Sequence, residues 1–183
     1  FKDLEKEDLK NDKIPESWSE PKRRQKDLDA KWTRKKGTFI FGYKNHIAID
    51  NKHKLIRAST VTNAAVHDSK AFTKIANTNN SSKDVWADSA YDTEEIAQFL
   101  KSKKRRSKIQ KQLRGNEGPP DKYKKLNAIR SKIRKRVEHV FGHMQNSMKA
   151  LYIRCKGIVR ATATITLNNL VYNMSRFRTL RAT

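Results

Sequence analysis

One carboxylate stands alone in the C-terminal third of the chain. Glu138 lies in Arg134-Lys135-Arg136-Val137-Glu138-His139, and no other Asp or Glu occurs from Lys122 to Thr183. A lone acid in so basic a stretch is either half of a local ion pair or a group held for chemistry. Asp88 is its upstream counterpart: it ends the apolar run Val85-Trp86-Ala87, where an acid adds nothing to packing. One acid ending a strand and one on a helix suit a divalent cation such as Mg²⁺. That ion takes oxygen ligands, commonly one or two carboxylates together with water and substrate phosphate. Ions held this way can flank a phosphodiester, one at the attacking oxygen and one at the leaving oxygen. Local explanations compete with this one. Asp88 can cap the turn ahead of the next helix, and Glu138 can pair with Arg134 one turn away for about 0.3–0.5 kcal/mol. Local pairing does not explain why this helix carries a single acid among so many bases.

The elements that must position the two acids can be read from periodicity. Residues 1–36 are polar and carry both signs of charge. Pro15 and Pro21 interrupt any long helix, so this segment is expected to be an extended arm pinned by Trp18 and Trp32. From residue 37 onward a folded domain is expected to run to residue 183. Thr38–Ile49 and Lys54–Thr62 are β-rich around the polar turn Asp50-Asn51-Lys52-His53, which predicts an antiparallel hairpin. Asp68 is expected to cap a helix. Asp84–Asp88 reads as a short buried strand, and Asp92-Thr93-Glu94-Glu95 has the spacing of a capping box before a helix burying Ile96, Phe99 and Leu100. A weak edge strand follows at Arg106–Gln110.

Residues 111–127 hold Gly115, Gly118, Pro119 and Pro120 among charges and are expected to form a mobile basic connection. A long helix is predicted from about Ala128 to Ser147, and a last one from about Ala161 to Arg178 that buries Ile165, Leu167, Leu170, Val171, Met174 and Phe177. The resulting order is hairpin, helix, strand, helix, weak strand, helix, helix. It implies an α/β layered domain, a mixed sheet flanked by helices, and fits a ribonuclease H-like fold whose first strand is missing.

Charge narrows the partner. The 183 residues hold 42 Lys and Arg against 19 Asp and Glu, a net charge of +23. Such an excess points to a polyanion, with nucleic acid favoured over an anionic membrane surface. No apolar run is long enough to span a bilayer. The acid-free basic runs Lys101–Arg114 and Lys122–Arg136 suit phosphate contacts, and Lys44, Arg105, Arg106, Lys108, Lys132, Arg134, Lys135 and Arg136 are the candidates for DNA binding. His46, His67, Asp68 and His139 are candidates for supporting the acidic site. His139 and His143 have the i, i+4 spacing of zinc ligands but no evident third ligand, and the lone Cys155 can form no internal disulfide.

Ala87-Asp88-Ser89-Ala90-Tyr91 and Arg134-Lys135-Arg136-Val137-Glu138-His139-Val140-Phe141-Gly142 resemble the second and third catalytic blocks of bacterial insertion-sequence DDE transposases. The resemblance is to the family-five branch, which is related to the eukaryotic Harbinger elements. Asp27-Leu28-Asp29-Ala30-Lys31-Trp32, Gly42-Tyr43-Lys44-Asn45-His46, Val66-His67-Asp68-Ser69 and Leu167-Asn168-Asn169-Leu170-Val171-Tyr172-Asn173 support it. The resemblance implies a ribonuclease H-like domain using three acids with Mg²⁺ or Mn²⁺, with Asp88 second and Glu138 third. It implies DNA cleavage and strand transfer at element ends, by a homo-oligomer when intact, in the bacterial cytoplasm at the nucleoid. The family's first acid would fall upstream of Phe1, the in-chain alternatives being Asp27, Asp29 and Asp50 in the arm and the hairpin turn, so the chain is expected to be a truncated and inactive piece. The alternative expectation is a non-catalytic DNA-binding remnant or regulator with the same fold. Related transposases also carry a Tyr-Arg-Glu-Lys signature on the last catalytic helix. Arg134 and Glu138 match its centre, while Ser131 and Gln145 stand at its outer positions.

Overall fold

The computed structural model describes residues 13–35, 37–76, 81–111 and 121–182. Pro15 and Trp18 are buried, and Arg23 donates from Nε to the Trp18 carbonyl at 2.9 Å, just inside the short helix α1 (Glu20–Gln25). The segment expected to be an extended arm then contributes a strand. Strand β1 (Lys31–Lys35) pairs antiparallel with the first half of β2 (Thr38–Ile49), from Lys31 opposite Gly42 to Lys35 opposite Thr38. Gly37, at φ +83°, supplies the left-handed residue that so tight a connection needs. Of the two tryptophans expected to pin this region, Trp18 is 3% exposed, whereas Trp32 is 62% exposed and packs against Phe41 on the neighbouring strand.

The second half of β2 pairs with β3 (Ile56–Asn63), giving the expected hairpin in the register Tyr43–Asn63 to Ile49–Ile56. Its turn closes through Asp50 N–H to the Leu55 carbonyl (2.8 Å) and Lys54 N–H to the Asp50 carbonyl (2.9 Å), so β3 begins at Ile56 and not at Lys54. A 3-10 turn (Asp68–Ala71) runs into α2 (Phe72–Ile75), with His67, not Asp68, as the capping residue.

A second, parallel sheet joins β4 (Asp84–Val85) to β5 (Arg106–Ser107). Backbone bonds from Arg106 to Lys83, Lys108 to Val85 and Gln110 to Ala87 carry the pairing as far as Ala87, so Asp88 follows the last paired residue. Between these strands lies α3 (Glu94–Ser102), capped by Thr93 Oγ1 accepting from Ile96 N–H at 3.3 Å; Asp92 is not the cap. Among the described residues the single mixed sheet expected from the sequence is instead two sheets, a three-stranded antiparallel one and this parallel pair.

Two apolar clusters correspond to the two sheets. Phe72, Ile96, Leu100 and Ile109 pack with Val85, Ala87, Tyr91 and Phe99; Val140, Met144 and Tyr172 pack with Ile47, Ile49, Ile56 and Phe141. The long helix α4 (Asp121–Asn146) starts earlier than expected, taking in residues 121–127. The glycines and prolines that suggested a connection all lie at 115–120, and residues 112–120 are outside the described set.

Helix α5 (Ile158–Arg181) also exists as expected but turns a different face inward. Ala161, Ile165, Asn169 and Tyr172 are buried, whereas Leu167, Leu170, Val171, Met174 and Phe177 are exposed. Polar contacts with the hairpin set this rotation. Asn169 pairs with Asn45 at 2.8 Å, and Asn173 both accepts from and donates to the Ile56 backbone at 2.8 Å. Tyr172 O–H donates to the Lys54 carbonyl (3.0 Å) and Arg176 Nε to the His53 carbonyl (2.8 Å). Buried amides and sheet-edge backbone groups are costly to leave unpaired, so these four side chains outweigh the apolar stripe.

Candidate active site

Asp88 sits where strand pairing stops. Its carboxylate accepts from the Ser89 N–H at 2.6 Å and caps the 3-10 turn Ser89–Tyr91, so the local capping role is real. Glu138 lies on the outer face of α4, two residues before the fully buried Val140. Local pairing is real here too: Arg134 Nη2 donates to Glu138 Oε1 at 2.6 Å, one helical turn away. The same guanidinium reaches a second acid, with Nη1 3.4 Å from Asp88 Oδ2. Arg134 therefore spans the two acids, one from the end of β4 and one from α4. Both carboxylate side chains are about half exposed (46% and 53%), while that of Arg134 is 28% exposed. Its Nε is buried with no hydrogen-bond partner among the described residues.

The 3-10 turns at Asp68–Ala71 and Ser89–Tyr91 touch, which brings Asp68 into the same region. Asp68 pairs with Lys44 Nζ at 3.0 Å, and Lys44 also donates to the Val66 carbonyl at 2.8 Å. Tyr91 packs on Phe72 with ring centres 5.6 Å apart. Burial pushes its phenol up to about 12, and the negative charges of Asp68 and Asp88 add to the effect. Tyr91 was not singled out in the sequence. Its place three residues after Asp88, on the turn that Asp88 caps, is the signal that could have found it.

The proposed supporting histidines divide. His46 is buried and shares a 2.8 Å hydrogen bond with the Thr62 hydroxyl; burial lowers its pKa below the ordinary 6.5. His67 caps its own 3-10 turn through Nδ1, which accepts from the Ser69 N–H at 3.3 Å and lies 2.7 Å from Ser69 Oγ. His139 stands beside Glu138 at an open depression of about 470 Å³, lined also by Lys135, Gly142, His143 and Asn146.

The candidate DNA-binding cations also divide. Arg106 pairs with Asp84 at 2.7 Å, Arg105 donates to the Ser82 carbonyl at 2.8 Å, and Arg136 donates to the Asn51 carbonyl. With Lys44 held by Asp68 and Arg134 by the acids, these five already have protein partners. Lys132 and Lys135 are exposed on α4, and Lys108 is half-buried beside β5.

The arm acids prove structural. Asp27 accepts from the Tyr43 hydroxyl at 2.8 Å and from Gly157 N–H at 3.2 Å, and Asp29 accepts from Ile158 N–H at 2.8 Å. Together they cap the N-terminus of α5 from a distant part of the chain. Asp50 is likewise occupied, accepting from the Lys52 and His53 amides of its turn. Among the described residues no three His, Cys, Asp or Glu side chains converge as a metal-holding group.

The family model described as "Transposase DDE domain" matches residues 17–174, which includes both acids. A curated relative, the transposase for insertion sequence element IS1106 of Neisseria meningitidis serogroup B, is 27% identical over 149 residues. The match covers 81% of this chain and 51% of that protein, so the chain spans about half the length of the relative. No solved structure matches. With the family model running through the capping block at Asp27, both acids and the amide-rich face of α5, the chain belongs to the transposase DDE domain family.

Proposed function

We propose that this chain carries part of the catalytic centre of an insertion-sequence DNA transposase, in which Asp88 and Glu138 hold a divalent cation. The observation that carries this reading is the meeting of the two acids, from the end of β4 and from α4, on one guanidinium. The donor set fits Mg²⁺ or Mn²⁺: both groups are hard carboxylate oxygens, half open to solvent and so able to share an ion with water and phosphate. When bound, the ion would activate the attacking oxygen and neutralise charge on the cleaved phosphodiester.

The chain's own residues have separate tasks in this reading. Asp88 is oriented by the Ser89 amide, Glu138 projects from α4, and one oxygen of each meets the Arg134 guanidinium. Lys132 and Lys135, exposed on the same helix, hold the DNA backbone without reading its sequence. The resulting ribonuclease H-like domain would cleave element ends, with water and then a 3′-hydroxyl attacking in line, as an oligomer acting in the bacterial cytoplasm at the nucleoid.

The reading includes a third carboxylate. Asp27, Asp29 and Asp50 are committed to backbone amides and Asp68 to Lys44, so the reading takes it from a segment outside these 183 residues. A strand between the two sheets would carry it, and the chain alone would be inactive. Support comes from β4, which pairs only with β5 among the described residues and so has a second edge able to accept a strand. The test is an end-cleavage assay with Mg²⁺ or Mn²⁺ on this chain and on a version extended to the relative's full length. Cleavage is expected only from the longer form; efficient metal-dependent cleavage by the 183 residues alone would reject the third-acid part.

A further inference from the structure

Among the described residues Arg134 engages two acids at once, and both are the proposed metal ligands. A guanidinium that spans two carboxylates occupies the approach a cation would take to bind both. It also relieves their mutual repulsion, which would otherwise favour separation. The hold is weak because of its surroundings. Both acids are about half exposed, and ion pairs in such settings contribute little because water screens them. Arg134 gains nothing further at Nε, which is buried without a partner among the described residues.

We propose that Arg134 is a placeholder cation: it keeps Asp88 and Glu138 together when no metal is bound and is displaced from them when a divalent ion enters. This rests on the metal-site reading above and adds to it a positioning residue that competes with the metal. A divalent ion brings two positive charges and direct coordination of carboxylate oxygen, so it replaces one screened guanidinium readily. With both acids coordinated, a retained Arg134 would place a third positive charge beside the ion, which favours its departure.

The test is a Mn²⁺ titration of the full 183-residue chain, followed by the paramagnetic resonance of free Mn²⁺, for wild type, Arg134→Gln, and the double variant Asp88→Asn/Glu138→Gln. Arg134→Gln is expected to bind roughly three- to tenfold more tightly than wild type, the scale set by two screened ion pairs. The double variant is expected to bind none at this site. Equal or weaker binding by Arg134→Gln, with wild-type binding abolished in the double variant, overturns the placeholder role alone. Binding by neither wild type nor Arg134→Gln overturns the metal reading and the placeholder with it.

A second measurement needs no folded variant. The Arg134 Nε–H resonance of the wild-type chain should exchange slowly with solvent when metal-free and at least about tenfold faster under saturating Mg²⁺, because displacement exposes a buried group. Unchanged exchange at saturation would overturn the proposal.

Discussion

His46 shows how a residue can sit near a candidate site and still act through stability. It is 5% exposed and bonded to Thr62, and burial lowers its pKa below 6.5. The unfolded chain therefore takes up the proton more readily. The stability His46 confers should be complete above about pH 6.5 and fall as pH drops through the lowered folded value. Urea midpoints between pH 7.5 and 5.0 should decline for wild type, and His46→Gln should flatten that decline. An equal decline in both would assign the effect elsewhere. The two acids make the opposite kind of prediction, chemical and not structural. Asp88→Asn and Glu138→Gln should each reduce end cleavage by the extended protein by at least about 100-fold, the scale of losing one group that stabilises a transition state. Their melting temperatures should barely change, since both side chains are half exposed.

Helix α5 separates what periodicity reveals from what it hides. Its existence and approximate ends followed from its pattern, but its apolar stripe did not identify its inner face. Ile165→Ala should cost about 2–4 kcal/mol, whereas Leu170→Ala and Met174→Ala should each stay within about 0.5 kcal/mol, by urea denaturation. The reverse ranking would restore the face expected from hydrophobicity. The missed signal was polar: Asn169, Tyr172, Asn173 and Arg176 share one side and bond to the hairpin. Similarly, nothing local in Asp27-Leu28-Asp29 points to a helix starting at Ile158, because the bonds to Gly157 and Ile158 span some 130 residues of chain. Removing that cap with Asp29→Ala should cost about 1 kcal/mol. The acids were more legible than their surroundings. An acid after an apolar run and a lone acid in a basic helix stand out locally, whereas Arg134 reaching both required the fold.

At the scale of the whole molecule, charge is the dominant property. A net +23 should give DNA affinity that falls steeply with salt. Neutralising the exposed cations Lys132 and Lys135 together should make the logarithmic salt slope shallower by about 2, roughly one for each phosphate no longer engaged. Binding by fluorescence anisotropy should survive Asp88→Ala and Glu138→Ala; collapse in those variants would argue against a phosphate-based interaction. No helix among the described residues is long and apolar enough to cross a membrane.

The division of the apolar interior into two clusters has a mechanical meaning. Asp88 follows the β-pair of one cluster, and Glu138 rides on a helix whose Val140 and Met144 belong to the other. Between α4 and the β4–β5 layer the structure places polar contacts: Arg130 to the Ile109 carbonyl, Asn127 to Lys111, and Arg134 to Asp88. Although α2 of the first cluster also packs on β2 and β3, the polar contacts at α4 can open locally, and the spacing of the acids becomes an equilibrium quantity, set by how often they do. Native-state hydrogen exchange should then find the amides of Lys108 and Gln110 opening at lower free energy than those of Ala48 and Ala58.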